Sequence, residues 1–360
     1  MEAKSIINAA ESAVNWLILT QDIGNDAGFA SHYHLSEGWY SSYPEVTGYI
    51  IPTLIEYGVK RKRPDLFERT IKATDWLLAI QMEEGGFQGR LIDDNSKVPV
   101  IFNTGMILFG LVSSYKKTND IKYLNAVQKA ADWLVKVQDE DGVWRRYLTL
   151  NGTGNTHVYH TRVSWGLLEV YKVTNDTKYL EAARKNITWA LEKQRKNGWF
   201  DLSCLLEEDN NQPLIHFHIY TVRGILESGL ILNKKSWIDV AEKGATGFLK
   251  AQQRDSVIYG RYNDKWESTV DWQCVTGIAQ ISIIYMKLYK LTSKIEWLAA
   301  ADKNIEYLIS IQGKGKKEIE GAISGSEPVD KPYMPNCYVS WATKFFLETL
   351  LLERRCSLQK

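Results

Sequence analysis

Apolar residues recur three or four positions apart in long blocks along this chain. From residue 123 to 137 the apolar side chains fall on one face of a helix, while the residues between them are polar. Each such block ends in a short polar loop that contains glycine, as in residues 139–144, and a second, more apolar block follows. The pattern predicts pairs of helices, with an amphipathic first member and a more deeply buried second member.

This helix pair is repeated six times. Each first helix ends in a large aromatic residue followed five positions later by glutamine, and successive aromatics lie about sixty residues apart. The pairs are Trp16 and Gln21, Trp76 and Gln81, Trp133 and Gln138, Trp189 and Gln194, Phe248 and Gln253, and Tyr307 and Gln312. Six copies account for the whole chain, which predicts a single domain over residues 1–360.

The second helices are expected to form an inner wall. We place them near residues 43–58, 100–117, 158–173, 216–232, 269–290 and 337–353. A lone helical hairpin cannot bury its apolar side, so six hairpins become stable by closing into a ring. The predicted fold is an all-α (α/α)6 toroid of six helical hairpins, and an open α-solenoid is the competing architecture.

Composition excludes several classes of function. Forty-four Lys and Arg residues against forty-three Asp and Glu leave a net charge of +1, so no nucleic-acid partner is expected. The chain has no apolar run near the roughly 20 residues that a bilayer span needs, so no membrane insertion is expected. Residues 1–8 contain no apolar leader, which favours a cytoplasmic location. The four cysteines lack paired C-x-x-C spacing, which argues against a zinc site.

Candidate chemistry is expected at one end of the ring. The starts of all inner helices meet there, and their unpaired N–H groups favour anionic ligands. Most of the histidines of the chain fall at or beside these starts. The candidate catalytic residues are Glu45, His160, His218, Tyr220 and Asp271. The candidate substrate-binding residues are Asn103, His157, Arg162, His216, Arg223, Trp39, Tyr43, Trp144 and Trp272.

These residue types suggest proton transfer beside a sugar carboxylate. Histidine transfers protons near neutral pH, and arginine binds carboxylates through two parallel hydrogen bonds. Glu45 and Asp271 form the best carboxylate pair for glycoside hydrolysis. The alternatives are that the histidines only pack and that Glu45 is a first-turn acid favoured by the helix dipole. No carboxylate or cysteine lies at a fixed spacing from the histidines, so neither a metal nor a cofactor is expected.

Three resemblances support this interpretation. Residues 76–87 and 133–144 resemble the repeats of terpenoid cyclase and protein prenyltransferase toroids. Residues 43–53, 102–111 and 161–165 resemble a cytoplasmic toroid family associated with surface-polysaccharide gene clusters, in which an aspartate is expected at the position of Asn103. The implied fold is also similar to that of six-hairpin glycosidases, polysaccharide lyases and N-acylglucosamine 2-epimerases.

The sequence therefore favours a carbohydrate-active enzyme that uses side-chain acid/base catalysis. Its expected partner is an acidic oligosaccharide or polysaccharide, for instance one that contains uronate, and the reaction is a lyase, epimerase or hydrolase reaction. A non-catalytic glycan-binding or scaffolding toroid is the alternative. A terpenoid or prenyl enzyme is third, because the only Asp-Asp pair, Asp93 and Asp94, lacks the further acid of a cyclase motif.

Overall fold

A computed structural model describes residues 3–95, 97–148 and 156–357 of the chain, with the side chains of 354–357 left aside. Twelve α-helices form two concentric layers in these residues. The outer helices are α1 (Ala3–Asp22), α3 (Pro64–Ile80), α5 (Ile121–Lys136), α7 (Thr177–Leu191), α9 (Lys235–Asp255) and α11 (Ile295–Ile311). The inner helices are α2 (Pro44–Arg61), α4 (Ile101–Thr118), α6 (Thr161–Thr174), α8 (Ile215–Ile231), α10 (Val275–Thr292) and α12 (Ser340–Ser357). The predicted (α/α)6 toroid is confirmed.

The two layers differ in burial as the sequence predicts. The inner helices are buried on nearly every side, whereas α5 and α7 bury one face and expose the other. Large aromatic side chains such as Trp16 and Trp297 fill the space between the layers and are almost fully buried. Among the helices of the described chain, none combines the length and the apolar character that a bilayer crossing needs.

Two inner helices begin later than predicted because short strands precede them. Five strands lie in the loops: β1 (His32–His34), β2 (Gly38–Trp39), β3 (Gln273–Cys274), β4 (Ser326–Glu327) and β5 (Cys337–Val339). Strand β1 pairs antiparallel with both β2 and β5, and β3 pairs antiparallel with β4. Asp271 consequently lies in a loop before α10 rather than on that helix. The third inner helix is also preceded by a 3-10 turn, Val158–His160.

The repeated glutamines join each copy to the next. The Nε2 of Gln81 donates to Gly85 O in its own loop (2.9 Å) and to Ala126 O on the following outer helix (3.0 Å). The last member, Gln312, donates to Ala9 O on α1 at 3.0 Å and so closes the ring. The last copy is therefore joined to the first by the same kind of hydrogen bond that joins the other neighbouring copies.

The fifth copy departs from the predicted register by one residue. Gln252, not Gln253, is buried and donates to Ala300 O on the next outer helix at 3.3 Å. Gln253 is exposed. The prediction of Gln253 is therefore wrong, because the glutamine that makes the repeated contact in this copy follows Phe248 by four residues rather than five.

Candidate functional site

A cavity of about 400 Å³ opens where the inner helices begin. We call it the upper cavity. It lies at the predicted end of the ring, but α10 contributes no residue to its lining. The lining residues are Tyr43, Glu45, Val46, Tyr49, Gly89, Arg90, Val100, Phe102, Asn103, Leu148, Tyr159, Leu205, Leu206, His216, Phe217, Tyr220, Tyr333 and Trp341.

Glu45 is the one carboxyl group among these lining residues. It follows Pro44 in the first turn of α2, where the helix dipole favours a negative charge. Glu45 is nevertheless only 8% exposed. This burial raises the pKa of its carboxyl group to about 7, and the opposing effects of Tyr43 and Arg162 are smaller. Desolvation therefore outweighs the helix dipole, and Glu45 is poised to carry a proton near neutral pH.

A chain of hydrogen bonds orients Glu45. The Nδ2 of Asn103 donates to the hydroxyl oxygen of Tyr43 at 3.4 Å, and the Tyr43 hydroxyl hydrogen-bonds to Glu45. Because residue 103 is asparagine rather than the aspartate expected from the resemblance, it places no second carboxylate near Glu45. Because Asn103 has no titratable group, the acid chemistry at this wall of the cavity rests on Glu45 alone.

His216 stands in the lining as a neutral imidazole. Burial lowers its pKa to about 3, and its Nδ1 lies 3.3 Å from Oε1 of Gln280 on α10. A neutral imidazole that donates from Nδ1 to this oxygen carries its lone pair on Nε2, so His216 can accept a hydrogen bond there. The ring of His216 also packs against Tyr220, with centroids 4.5 Å apart.

Aromatic side chains form most of the remaining wall. They come from five of the six copies and are Tyr43, Tyr49, Phe102, Tyr159, Phe217, Tyr220, Tyr333 and Trp341. Arg90 is the one cationic side chain among the lining residues, and it is 65% exposed beside Asp94 at 3.7 Å. The cavity thus combines ring faces, one acid, one imidazole and a guanidinium group at its solvent side.

Five predicted site residues meet in the upper cavity, namely Tyr43, Glu45, Asn103, His216 and Tyr220. Sequence reasoning missed Arg90, although it directly follows the glycine-containing loop of the second copy. It also missed the aromatic residues Tyr159, Tyr333 and Trp341. In the last copy, Tyr333 and Trp341 line the cavity. Their position depends on the segment that carries β4 and β5, which the repeat does not predict.

Three predicted histidines lie outside the cavity lining. His218 is packed between Trp199 and Trp266, and its Nε2 accepts the backbone N–H of Phe200 at 3.4 Å. Thr47 and Thr104 accept the equivalent loop N–H groups in the first two copies, so His218 takes the place of a structural threonine.

His157 and His160 likewise pack within the protein. Their ring centroids lie 5.4 Å apart, His157 stacks on Tyr159, and His160 contacts Trp144. Both histidines are about 1% exposed. His160 and His218 were predicted as catalytic residues, but neither lines the upper cavity. Each contacts the loop of its own copy instead.

The other predicted residues also lie away from the lining. Arg162 and Arg223 face a separate cavity deeper in the ring. Asp271 is 85% exposed next to Lys331, so it forms no carboxylate pair with Glu45 across the upper cavity. Trp39 packs on Trp16 and Tyr33, Trp144 donates to Leu134 O at 2.9 Å, and Trp272 packs over Gly260. These tryptophans stabilise the loops.

No group of three His, Cys, Asp or Glu side chains in the described parts of the chain is arranged to hold a metal ion. The carboxyl group of Glu45, the imidazole of His216 and the guanidinium group of Arg90 are therefore the groups available for chemistry in the upper cavity.

The fold defines an α/α toroid of six helical hairpins, and comparison with known proteins agrees. Residues 41–223 match the family described as "Squalene-hopene cyclase C-terminal domain". The chain belongs to this family. The comparison with curated protein sequences gives no match.

Solved structures with the same fold act on sugars. A sugar epimerase from a ruminal bacterium is 10% identical with a TM-score of 0.82, over 97% of this chain and 98% of that chain. An unsaturated glucuronyl hydrolase specific for heparin is 15% identical with a TM-score of 0.79, over 99% of both chains. Cellobiose 2-epimerase from Bacillus thermoamylovorans is 11% identical with a TM-score of 0.75, over 96% and 99%. At these identities the likeness concerns the fold.

Proposed function

We propose that this protein is a carbohydrate-active enzyme that transfers a proton at one sugar unit bound in the upper cavity. Glu45 acts as the general acid. The observation that carries this proposal is a buried carboxyl group, with a pKa near 7, in the wall of an aromatic cavity. A general acid works best when its pKa lies near the operating pH, which is where burial sets Glu45.

His216 is the second polar group at the reacting position, and it acts as a hydrogen-bond acceptor for the substrate. Its lowered pKa keeps the ring neutral, and the contact of Nδ1 with Gln280 leaves Nε2 as the accepting nitrogen. With a pKa near 7, Glu45 can both accept a proton from one position of a substrate and deliver one to another, while His216 positions the substrate. Epimerisation, elimination and the hydration of an unsaturated sugar all have this requirement.

The remaining lining supports a sugar substrate with a negative charge. Aromatic faces stack on the apolar faces of sugar rings, and the cavity volume of about 400 Å³ suits a ligand of one or two sugar units. Arg90 offers a fork of N–H donors for a carboxylate, in place of Arg162 and Arg223. The sugar-active proteins that share the fold add support for this substrate class.

Hydrolysis by two carboxylates receives less support. That mechanism requires two carboxyl groups roughly 5 to 10 Å apart across the scissile bond. Glu45 has no carboxylate partner among the lining residues, and Asp271 lies in an exposed loop. A single-acid reaction is therefore the more economical proposal.

A terpenoid substrate is the second candidate, because the family match and the aromatic wall both favour it. An uncharged terpenoid such as squalene would offer Arg90 and His216 no polar partner. A prenyl diphosphate, in contrast, carries several negative charges. The lining offers Arg90 as its one cation and Glu45 as its one carboxyl group, which is too few to bind a diphosphate directly or through a metal ion. We therefore rank this function below sugar chemistry.

The test is a substrate panel with matched variants. The panel contains unsaturated uronate disaccharides, saturated uronate oligosaccharides, reducing disaccharides and, for the second candidate, squalene and a prenyl diphosphate. Turnover is followed by ultraviolet absorbance and by NMR of the products. We expect turnover of a uronate-containing member, a loss of about 10²-fold or more in Glu45→Gln, a smaller loss in His216→Gln, and full turnover in Glu83→Gln, an exposed loop acid.

Three outcomes separate the alternatives. Full turnover in Glu45→Gln would contradict the proposed acid. A uronate ligand that binds equally well to the wild type and to Glu45→Gln without any turnover would favour the non-catalytic glycan-binding toroid. Turnover of a prenyl diphosphate in place of any sugar would favour the terpenoid function.

A further inference from the structure

A second cavity of about 220 Å³ lies deeper in the ring. We call it the lower cavity. Tyr49 lines both cavities, and Tyr220, in the wall of the upper one, stacks on the guanidinium group of Arg162 in the lower one, 4.7 Å from the ring centroid. The lower cavity is lined by charged side chains from five inner helices, namely Glu56, Arg162, Arg223, Glu227, Lys287, Lys344 and Glu348.

Its two innermost carboxylates are fully engaged by other cations. Glu227 pairs with Nε of Arg223 at 3.1 Å and with Lys287 at 3.0 Å. Glu348 pairs with Arg223 and with Lys344, each at 2.5 Å. Burial opposes ionisation of Glu348, but these two cations more than offset it and lower its pKa. Neither carboxylate is therefore left to neutralise a further positive charge.

Arg162 is the cation without a counterion. It is 2% exposed and forms no ion pair within 4 Å in the described part of the chain. Its guanidinium group lies 4.7–5.7 Å from the centroids of four aromatic rings, those of Phe109, Trp165, Tyr220 and Phe345. Its Nε donates to the sulfur of Met106 at 3.1 Å, and its Nη1 has no hydrogen-bond partner. Nη1 of Arg223, a residue that is 3% exposed, also lacks a partner. Two buried guanidinium groups thus line one cavity with N–H donors unused.

The neighbouring charges make this arrangement costly when the cavity holds no anion. Burial lowers the pKa of Arg162, and the nearby Arg223 lowers it further. Part of this decrease in pKa is offset by Tyr220, Glu348 and Tyr49. Burial also lowers the pKa of Lys344 to about 8, and Arg162 and Arg223 add to the effect. An isolated buried cation is unfavourable unless an anion and hydrogen bonds compensate it.

We propose that the lower cavity is a binding site for a small oxyanion, held by the guanidinium groups of Arg162 and Arg223 that line it. Carboxylate, phosphate and sulfate share the geometry that a guanidinium fork recognises. The cavity holds several times the roughly 30 Å³ that one water occupies in the liquid, so an anion of this size fits. This site is separate from the upper cavity and does not depend on the proposed sugar chemistry.

Thermal unfolding in the presence of three anions tests the site. Sodium phosphate, sulfate and acetate are titrated at constant ionic strength, with chloride as the balancing anion. We expect a saturable rise of Tm for the wild type with at least one of them, because a ligand that binds only the folded state stabilises it. The anion with the largest rise identifies the chemistry.

Variants assign the effect to Arg162. In Arg162→Met we expect the rise to disappear, whereas Arg254→Met, which removes an exposed arginine paired with Asp255, should keep it. The same rise in Arg162→Met as in the wild type, or no rise with any anion, would overturn the proposal.

A direct measurement covers the case in which Arg162→Met does not fold. Crystals of the wild type soaked in selenate should show an anomalous peak in the lower cavity, within hydrogen-bonding distance of the guanidinium group of Arg162. Selenate peaks found only at the surface would overturn the proposal, and Arg162→Lys, which keeps the charge but loses the fork, should weaken the peak.

Discussion

Glu45 shows how burial sets the chemistry of one residue. A first-turn acid after proline is common on a helix, and a dipole effect of about 0.3–1 kcal/mol would lower its pKa. Burial in the aromatic wall acts in the opposite direction and is larger, since the pKa rises from 4.5 to about 7. The sequence predicts the residue and its place on the helix, but not its desolvation, because the rings around it come from other copies.

This pKa makes Glu45 a source of instability at neutral and alkaline pH. Between about pH 4.5 and 7 the folded state holds the proton that the unfolded state has lost, so stability falls as the pH rises through this window. Glu45→Gln removes this dependence. We expect the variant to match the wild type near pH 4 and to be more stable by roughly 3 kcal/mol near pH 8, measured by urea unfolding at both pH values. A constant difference across the range would contradict the raised pKa.

The histidines show why residue type alone does not identify a site. His216 and His218 are two residues apart on α8, which turns their side chains about 200° from one another. His216 consequently faces the cavity, whereas His218 faces Trp199 and its own loop. Both are basic residues near a helix start, so only the rotation of the helix decides which one can meet a substrate.

His218→Ala should therefore act on stability. The change leaves the N–H of Phe200 unpaired and opens space between Trp199 and Trp266, and we expect a loss of about 1–3 kcal/mol in the free energy of unfolding. Urea unfolding at neutral pH measures it. An unchanged unfolding midpoint together with lost turnover would instead assign His218 to catalysis.

At the scale of elements, the glutamine contacts are the most regular feature of the fold. The repeat predicts their existence, and the structure gives their role as donors to the next outer helix. The boundaries of α10 and α12 were less predictable, since strands β3 and β5 occupy residues that the apolar pattern assigns to helices.

The fifth copy offers an internal comparison of two adjacent glutamines. Gln252→Ala removes a buried donor from Ala300 O and from Asn304, so we expect a loss of about 1–2 kcal/mol. Gln253→Ala changes an exposed side chain and should alter stability by no more than about 0.5 kcal/mol. Chemical unfolding of both variants measures the difference. Equal losses would contradict the assignment of Gln252 to the repeated contact.

At the scale of the whole molecule, the ring depends on small residues where inner helices touch. A Cβ added to Gly224 on α8 would lie 2.4 Å from the backbone carbon of Thr161 on α6. Gly105 near the start of α4 has a similar contact, because a Cβ added there would lie 2.7 Å from the side chain of Val163 on α6. These close contacts fix the spacing of the inner wall and hence the width of both cavities.

Gly224→Ala should therefore strain the ring. The neighbouring atoms are backbone, so they cannot move aside as a side chain would, and we expect a loss of about 1–3 kcal/mol. Gly24→Ala is the control, because the nearest atom there lies at an ordinary 3.4 Å. Thermal unfolding of both variants measures the effect, and an unchanged Tm for Gly224→Ala would contradict the close packing of α6 and α8.

The whole fold was more predictable than the site. Six similar copies specify a ring whatever the detail of each copy, whereas the site depends on how the copies differ. Arg223, for instance, lies two turns into α8, about 12 Å below its start, and so reaches the lower cavity rather than the upper one.

The most direct test of the central claim is the pKa of the Glu45 carboxyl group in the intact protein. NMR titration of the protein labelled with carbon-13 at glutamate side-chain carboxyls, with Glu45→Gln to assign the resonance, measures it without knowledge of the substrate. The account predicts a midpoint near 7, well separated from that of the exposed glutamates. A midpoint near 4.5, the ordinary value for glutamate, would contradict the proposal that Glu45 donates a proton at neutral pH.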